Sequence, residues 1–267
     1  GAGDRVAQPV IRVSSTSARA SPVCCALSFH RRSQAMSNFV FPPAEIPSAA
    51  VRGTDARYAV RRIFCVGRNY ADHAREMGAD PTREPPFYFT KPAHALTPSG
   101  ATVAYPTETK NYHYEMELVL ALGAPVFKVT PEAAVAAIWG YAAGLDMTRR
   151  DLQAAAKAAG KPWDTANGFD QSAILGEIVR VSEVGRLERG AITLAVNGVE
   201  KQHGDLADMI WSQAEIVSNL SHLYQLHPGD LIYTGTPAGV GAVVPGDVIT
   251  GRIEGLGEIS LTVGQPA

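Results

Sequence analysis

Two glutamates, Glu115 and Glu117, stand two positions apart in the run 114–122, where Tyr114, Met116, Leu118 and Leu120 alternate with Glu115, Glu117, Val119 and Ala121. Such alternation predicts a β-strand, whose side chains at i and i+2 face the same way, roughly 6.5–7 Å apart. Two carboxylates on one face of an otherwise apolar strand repel unless water, a proton or a cation lies between them. A hard divalent ion with oxygen ligands resolves that conflict, and Mg²⁺ or Mn²⁺ suits carboxylates best. The competing reading is an antiparallel strand with one wet face. Asp146 ends the apolar run 141–145 just ahead of Thr148, where a strand delivers a side chain to a site at its end. Three carboxylates, two paired and one at a strand–helix junction, fit a metal that keeps positions open for substrate. A turn residue or a supplementary cap is the alternative for Asp146.

Other residues offer proton transfer and anion recognition. His73 and Glu76 are three apart in a stretch that reads as a short helix over 70–77, so they share a face and the carboxylate can orient the imidazole. An acid-oriented histidine is a general base for activating water, although the same pair occurs as plain surface polarity. Arg150, Gln153 and Lys157 share a face of the helix after Asp146. Arg150 could grip a carboxylate bidentately and Gln153 could hydrogen-bond a carbonyl. Lys157 reads as solvated, and Asp151 as the acid of a capping box rather than a catalyst. Lys91 places a charge after the apolar strand 87–89. The glycine-rich loop 235–241 lacks the Lys-Ser/Thr ending of a phosphate loop, which argues against nucleotides. Its backbone N–H groups and Thr236 could still meet a small anion, or the loop could be a plain turn.

These side chains need a scaffold. Strands are predicted at 60–66, 87–89, 114–122, 192–196 and 231–234 and in the glycine-punctuated stretch 243–263, with Asn197-Gly198 as a hairpin turn. Helices are predicted from Pro131, capped by Thr130, to about 138, from the Thr148-Arg149-Arg150-Asp151 capping box to Gly160, and over 206–223. The class is α+β and β-rich, with one domain at 60–267, a lead-in at 36–59 and a disordered extension at 1–35. That extension holds five arginines, six serines and one acid, a bias shared by organellar transit peptides and by spurious upstream extensions; Met36 reads as a natural start. A formal charge of −2, from 24 basic and 26 acidic residues, leaves no basic footprint for nucleic acid. No run of roughly 18 apolar residues exists to cross a membrane. Three cysteines, two of them adjacent, make a poor disulfide or zinc framework and suggest a reducing, cytoplasmic setting.

Taken in order, Cys65-Val66-Gly67-Arg68-Asn69-Tyr70, Phe89-Thr90-Lys91-Pro92, His113-Tyr114-Glu115-Met116-Glu117, Leu145-Asp146-Met147-Thr148-Arg149-Arg150-Asp151 and Gly235-Thr236-Pro237-Ala238-Gly239-Val240-Gly241 resemble the fumarylacetoacetate hydrolase family, closest to its fumarylpyruvate hydrolase and acylpyruvase branch. The resemblance runs from about residue 60 to the end. It implies a mixed β-sandwich roll of the fumarylacetoacetate hydrolase C-terminal-domain type, often a homodimer, acting on a small 2-oxo acid. It implies Mg²⁺ or Mn²⁺ on Glu115, Glu117 and Asp146, with His73 and Glu76 activating water. Lys91 joins the catalytic set by holding an acid group of the substrate, and Arg150, Gln153, Thr236 and the 167 position become substrate contacts. The implied reaction is hydrolytic C–C cleavage of a 3-acylpyruvate such as fumarylpyruvate. Oxaloacetate decarboxylation or tautomerisation needs the same enolate chemistry without a water nucleophile. Two positions depart from the pattern: Asn167 stands where the family usually has lysine, and Tyr114 where a second histidine often precedes the Glu-x-Glu pair. The lost charge at 167 points to reduced activity, a changed substrate or, at the extreme, a non-catalytic metal-dependent binder of small acids.

Overall fold

The computed structural model describes residues 39–78 and 84–266. Every element below belongs to the compact unit Glu45–Ala267; the segment 1–35 lies outside the described residues. In chain order come β1 (Ser48–Val51), β2 (Thr54–Ala59), β3 (Arg62–Gly67), α1 (Ala71–Glu76), β4 (Phe87–Lys91), β5 (Leu96–Pro98), β6 (Ala101–Tyr105), β7 (Tyr112–Tyr114) and β8 (Met116–Leu122). Next are α2 (Pro131–Ala134), β9 (Ile138–Asp146), β10 (Thr148–Arg149), α3 (Arg150–Ala158), α4 (Asp164–Asn167), β11 (Ala173–Leu175), β12 (Val179–Arg180) and α5 (Val181–Val184). The chain ends with β13 (Ala191–Val196), β14 (Val199–Asp205), α6 (Gln213–Leu223), β15 (Asp230–Tyr233), β16 (Gly241–Val243), β17 (Val248–Ile253) and β18 (Gly257–Pro266).

The central sheet runs β4-β3-β15-β8-β9-β11-β5, with β12 beside β9. It is mixed, because β3 and β15 pair in parallel while β15, β8 and β9 pair antiparallel. A second sheet, β14-β13-β17-β18-β6, closes over one of its faces. The main core lies between them, where Met116, Leu118, Leu120 and Leu122 meet Ile192, Leu194, Ile249, Ile259 and Leu261. The other face of β8 carries Val119 and Ala121, which pack with Cys65, Ala142, Tyr233 and the β1 residues Ala49 and Val51. Apolar on both faces, β8 is buried along its whole length, as a central strand covered on both sides must be. The β1–β2 hairpin, inside the expected lead-in, thus belongs to the compact unit.

Four expectations change in the structure. The strand predicted over 114–122 breaks at Glu115: β7 pairs with β10 and β16 in a separate three-stranded sheet, and β8 begins at Met116. Thr148 does not cap α3, because it pairs in β10 with His113 and its hydroxyl accepts from Asn167 Nδ2 at 3.1 Å. Asp151 instead accepts from Thr109 Oγ1, Lys110 N and Leu152 N. The helix from Pro131 keeps its Thr130 cap but lasts one turn before a 3₁₀ turn at Val135–Ala137, since Ile138 already pairs with Leu122. The helix predicted over 206–223 splits into a 3₁₀ turn at Leu206–Asp208 and α6. Asn69 takes the backbone groups between them: its carbonyl accepts from Ile210 N, its Oδ1 accepts from Trp211 N at 2.7 Å, and its Nδ2 donates to Trp211 O at 3.0 Å. That tertiary clamp replaces helical bonds that local propensity alone would make.

Candidate metal centre and active site

The break at Glu115 and the end of β9 build the centre. Met116 opposes Leu145 and Glu117 opposes Gly144, and Asp146 N donates to Glu115 O at 2.9 Å, so all three acids gather at one end of the β8–β9 pair. Each offers an oxygen within 4.8 Å of the others, and all three side chains are buried. Lys91 Nζ sits 2.8 Å from Asp146 Oδ1 in an ion pair, while Arg150 Nη2 bonds Glu115 Oε1. Glu117 Oε2 accepts from Gly235 N at 2.8 Å. Two cations facing three carboxylates leave negative charge uncompensated. Burial, with Asp146 and Glu115 close by, drives the Glu117 carboxyl far above the usual range. Burial also pushes Asp146 up to about 6, against the pull of Lys91. Beyond the Lys91 ammonium facing Oδ1, neither Asp146 oxygen has a hydrogen-bond donor. Hard oxygen ligands, unsatisfied buried lone pairs and excess negative charge fit a small divalent cation.

A cleft open to solvent lies beside this cluster. Glu115, Glu117, His73, Arg150, Gln153 and Thr236 all line it, so the structure brings together six of the sequence-selected residues. His73 is buried, with Nδ1 3.3 Å from Glu76 Oε2. With the proton on Nδ1, the other ring nitrogen is left as a base. Glu76 is itself held, accepting from Gly239 N at 3.1 Å. Arg150 spends one N–H each on Glu115, Gln153 Oε1 (2.6 Å) and His113 Nδ1 (3.4 Å), which leaves one on each terminal nitrogen. Gln202 donates to Thr236 Oγ1 at 2.8 Å, so the threonine hydroxyl keeps its own proton for another acceptor.

Two expected substrate contacts, Lys91 and Asn167, lie behind the cleft rather than on its lining. Lys91 is fully buried, and its three donors face Asp146, Met147 O and Asn167 O, so none remains for a ligand. Its ammonium is instead paired with Asp146. Asn167 is also fully buried; its amide donates to Thr148 Oγ1 and accepts from Gln153 Nε2 at 3.3 Å, and it does not line the cleft. The expected anion-binding loop 235–241 turns two of its N–H groups onto the protein's own carboxylates, Glu117 and Glu76. Gly235 (φ +98) and Gly239 (φ +97) adopt left-handed backbone there, and a Cβ on Gly239 would lie 2.1 Å from Lys201 O.

Sequence reasoning missed several neighbours. Lys157, read as solvated, lines the cleft together with Arg68, Phe87, Phe89 and Trp163; the i, i+3, i+7 spacing from Arg150 was the available signal for Lys157. His113 also escaped notice. Burial and the adjacent Arg150 guanidinium lower its pKa to about 4, so it is a neutral acceptor for Arg150 Nε at pH 7.

Residues 62–264 match the family described as fumarylacetoacetate (FAA) hydrolase C-terminal. A fumarylpyruvate hydrolase of Ralstonia sp is 57% identical over 185 residues, 69% of this chain and 96% of that protein. The mitochondrial oxaloacetate tautomerase of Homo sapiens is 39% identical over 206 residues, 77% of this chain and 93% of that one. Among solved structures, the fumarylpyruvate hydrolase of Pseudomonas aeruginosa, in complex with Mn²⁺ and pyruvate, superposes with a TM-score of 0.84 at 50% identity, covering 85% of this chain and all of that one. A match over most of the chain and relatives well above 30% identity lead to one assignment: the chain belongs to the fumarylacetoacetate hydrolase family and has its mixed, sheet-rich α+β fold.

Proposed function

We propose that this chain hydrolyses the C–C bond of a 3-acylpyruvate, with fumarylpyruvate giving fumarate and pyruvate as the best candidate. The observation that carries the reading is a cleft lined by Glu115, Glu117 and the carboxylate-oriented His73, with the third carboxylate of the buried triad, Asp146, within 4.8 Å of both glutamates. The Mn²⁺ and pyruvate in the Pseudomonas aeruginosa relative support it. Glu115, Glu117 and Asp146 would hold Mg²⁺ or Mn²⁺, which when bound supplies Lewis acidity at the 2-oxo acid end of the substrate. Arg150 offers its two remaining N–H groups to a carboxylate. His73 takes a proton from water, whose oxygen attacks the distal carbonyl carbon, and Glu76 stabilises the imidazolium that forms. The bond between that carbon and the pyruvyl methylene then breaks, and the methylene carbon takes up the electron pair and a proton. Action as a cytoplasmic homodimer belongs to the same proposal. Among the described residues, no helix is long and apolar enough to cross a membrane.

The oxaloacetate tautomerase relatives favour a second reading, enolisation without hydrolysis. Steady-state assays of fumarylpyruvate, acetylpyruvate and oxaloacetate with added Mn²⁺ separate the two. His73→Ala is expected to lower kcat for acylpyruvate hydrolysis by about 10²-fold or more, the scale of a lost general base. Wild-type protein that isomerises oxaloacetate but releases no pyruvate from any acylpyruvate would sink the hydrolase reading.

A further inference from the structure

Helix α3 presents a third polar side chain to the cleft beyond Arg150 and Gln153. Lys157 follows them at i+7, on the same helical face, and lines the same cleft. At 1.5 Å of rise per residue it stands about 10 Å further along the axis than Arg150. Its side chain is exposed, whereas Glu117 and Asp146 are buried, so it marks the outer end. A second cation, Arg68, lines the cleft just after β3. Its guanidinium stacks 5.4 Å over the Phe87 ring, and Phe87 meets Trp163 edge-on at 5.3 Å. Arg68 also holds φ at 56°, left-handed backbone that costs a non-glycine residue energy and that collects at binding and catalytic sites.

The charges divide by depth. The inner cations Lys91 and Arg150 are each matched to an inner carboxylate. Among the described residues, neither Arg68 nor Lys157 pairs with an acid. An anion entering this cleft therefore meets two outer positive charges with no paired acid among the described residues. We propose that Arg68 and Lys157 form a second carboxylate subsite, which selects acylpyruvates whose acyl end carries its own carboxylate. An extended seven-carbon chain with bonds of roughly 1.5 Å sets its end carbons about 7–8 Å apart. Carboxylate oxygens reach beyond those carbons, so such a chain spans from Arg150 to Lys157. Phe87, Phe89 and Trp163 offer an aromatic surface suited to a flat, conjugated acyl segment. The inference rests on the proposed reaction for its ligand class, but its test does not require turnover.

Two probes that cannot be hydrolysed isolate the subsite: 2-oxoheptanedioate, which carries a distal carboxylate, and 2-oxoheptanoate, which ends in methyl. Calorimetric titration of the full chain with Mn²⁺ present is expected to show the diacid binding about tenfold tighter. Lys157→Met and Arg68→Gln should each remove most of that advantage while moving the methyl-ended probe by less than about twofold, and Lys157→Arg should restore it. Lys157 is exposed on a helix, so its variants report even if Arg68→Gln fails to fold. Wild-type protein that binds both probes equally, or neither, overturns the subsite, as does a variant that weakens both alike. If the probes separate as expected while no acylpyruvate is hydrolysed, the proposed reaction fails and the subsite stands.

Discussion

Replacing Lys91 by methionine keeps the bulk of the side chain and removes the ammonium facing Asp146, Met147 O and Asn167 O. Without that ammonium the Asp146 carboxyl is pushed further up, so at pH 7 it either stays ionised without its counter-charge or takes up a proton, at a cost of up to about 3–5 kcal/mol. Chemical denaturation of metal-free Lys91→Met should show a loss of that order at pH 7. The loss should shrink at pH 5, where Asp146, with its pKa raised to about 6, takes a proton. An equal loss at both pH values would refute this electrostatic account. The triad itself was readable from residue type: two glutamates at strand spacing and an aspartate ending an apolar run. The job of Lys91 was not, because two of its partners are backbone carbonyls 56 and 76 residues away, which no local pattern encodes. For the same reason Asn167 read as a lost charge at the substrate, whereas it packs behind Gln153 and Thr148.

The loop between β15 and β16 joins two chemistries, since Gly235 N–H holds Glu117 and Gly239 N–H holds Glu76. Gly239→Ala forces a Cβ toward Lys201 O in a left-handed conformation, a strain of about 1–3 kcal/mol. The expected outcome is a lower Tm and a kcat reduced about tenfold or more through a misplaced Glu76, with little change in Mn²⁺ affinity. Thermal melts, turnover and Mn²⁺ titration on one preparation would check it. Elements with a strong period, β3, α1 and the β13–β14 hairpin with Asn197 at φ 51, were readable along the chain. The break at Glu115 was not, because the alternation of 114–122 continues unbroken while the strand changes partners, from β10 and β16 to β15 and β9. Partner choice is a long-range property and leaves no mark on periodicity.

Across the molecule, pH acts on the site through opposing groups. Asp146 has a folded pKa raised to about 6 against an unfolded value near 3.8, so its contribution to metal-free stability is full below about 4 and lost as pH rises through 6. His113 is lowered to about 4 from 6.5, so its contribution is present above about 6.5 and lost as pH falls through 4. Because these partly cancel between pH 4 and 6, metal affinity is the cleaner readout. Protons compete with the ion for Asp146 and for Glu117, whose carboxyl is raised as well, so the Kd for Mn²⁺ should weaken by about tenfold or more per pH unit below 6. The rise in Tm produced by saturating Mn²⁺ should be larger at pH 7 than at pH 5. A Kd independent of pH from 5 to 7 would place the ion elsewhere. The internal ammonium and guanidinium also bear on how the protein matures. Because Lys91 and Arg150 already offset much of the mutual repulsion of the acids, a newly synthesised chain can complete its fold before any ion arrives. Loading of the proposed ion would then be a late, reversible event governed by which divalent ion the surroundings supply.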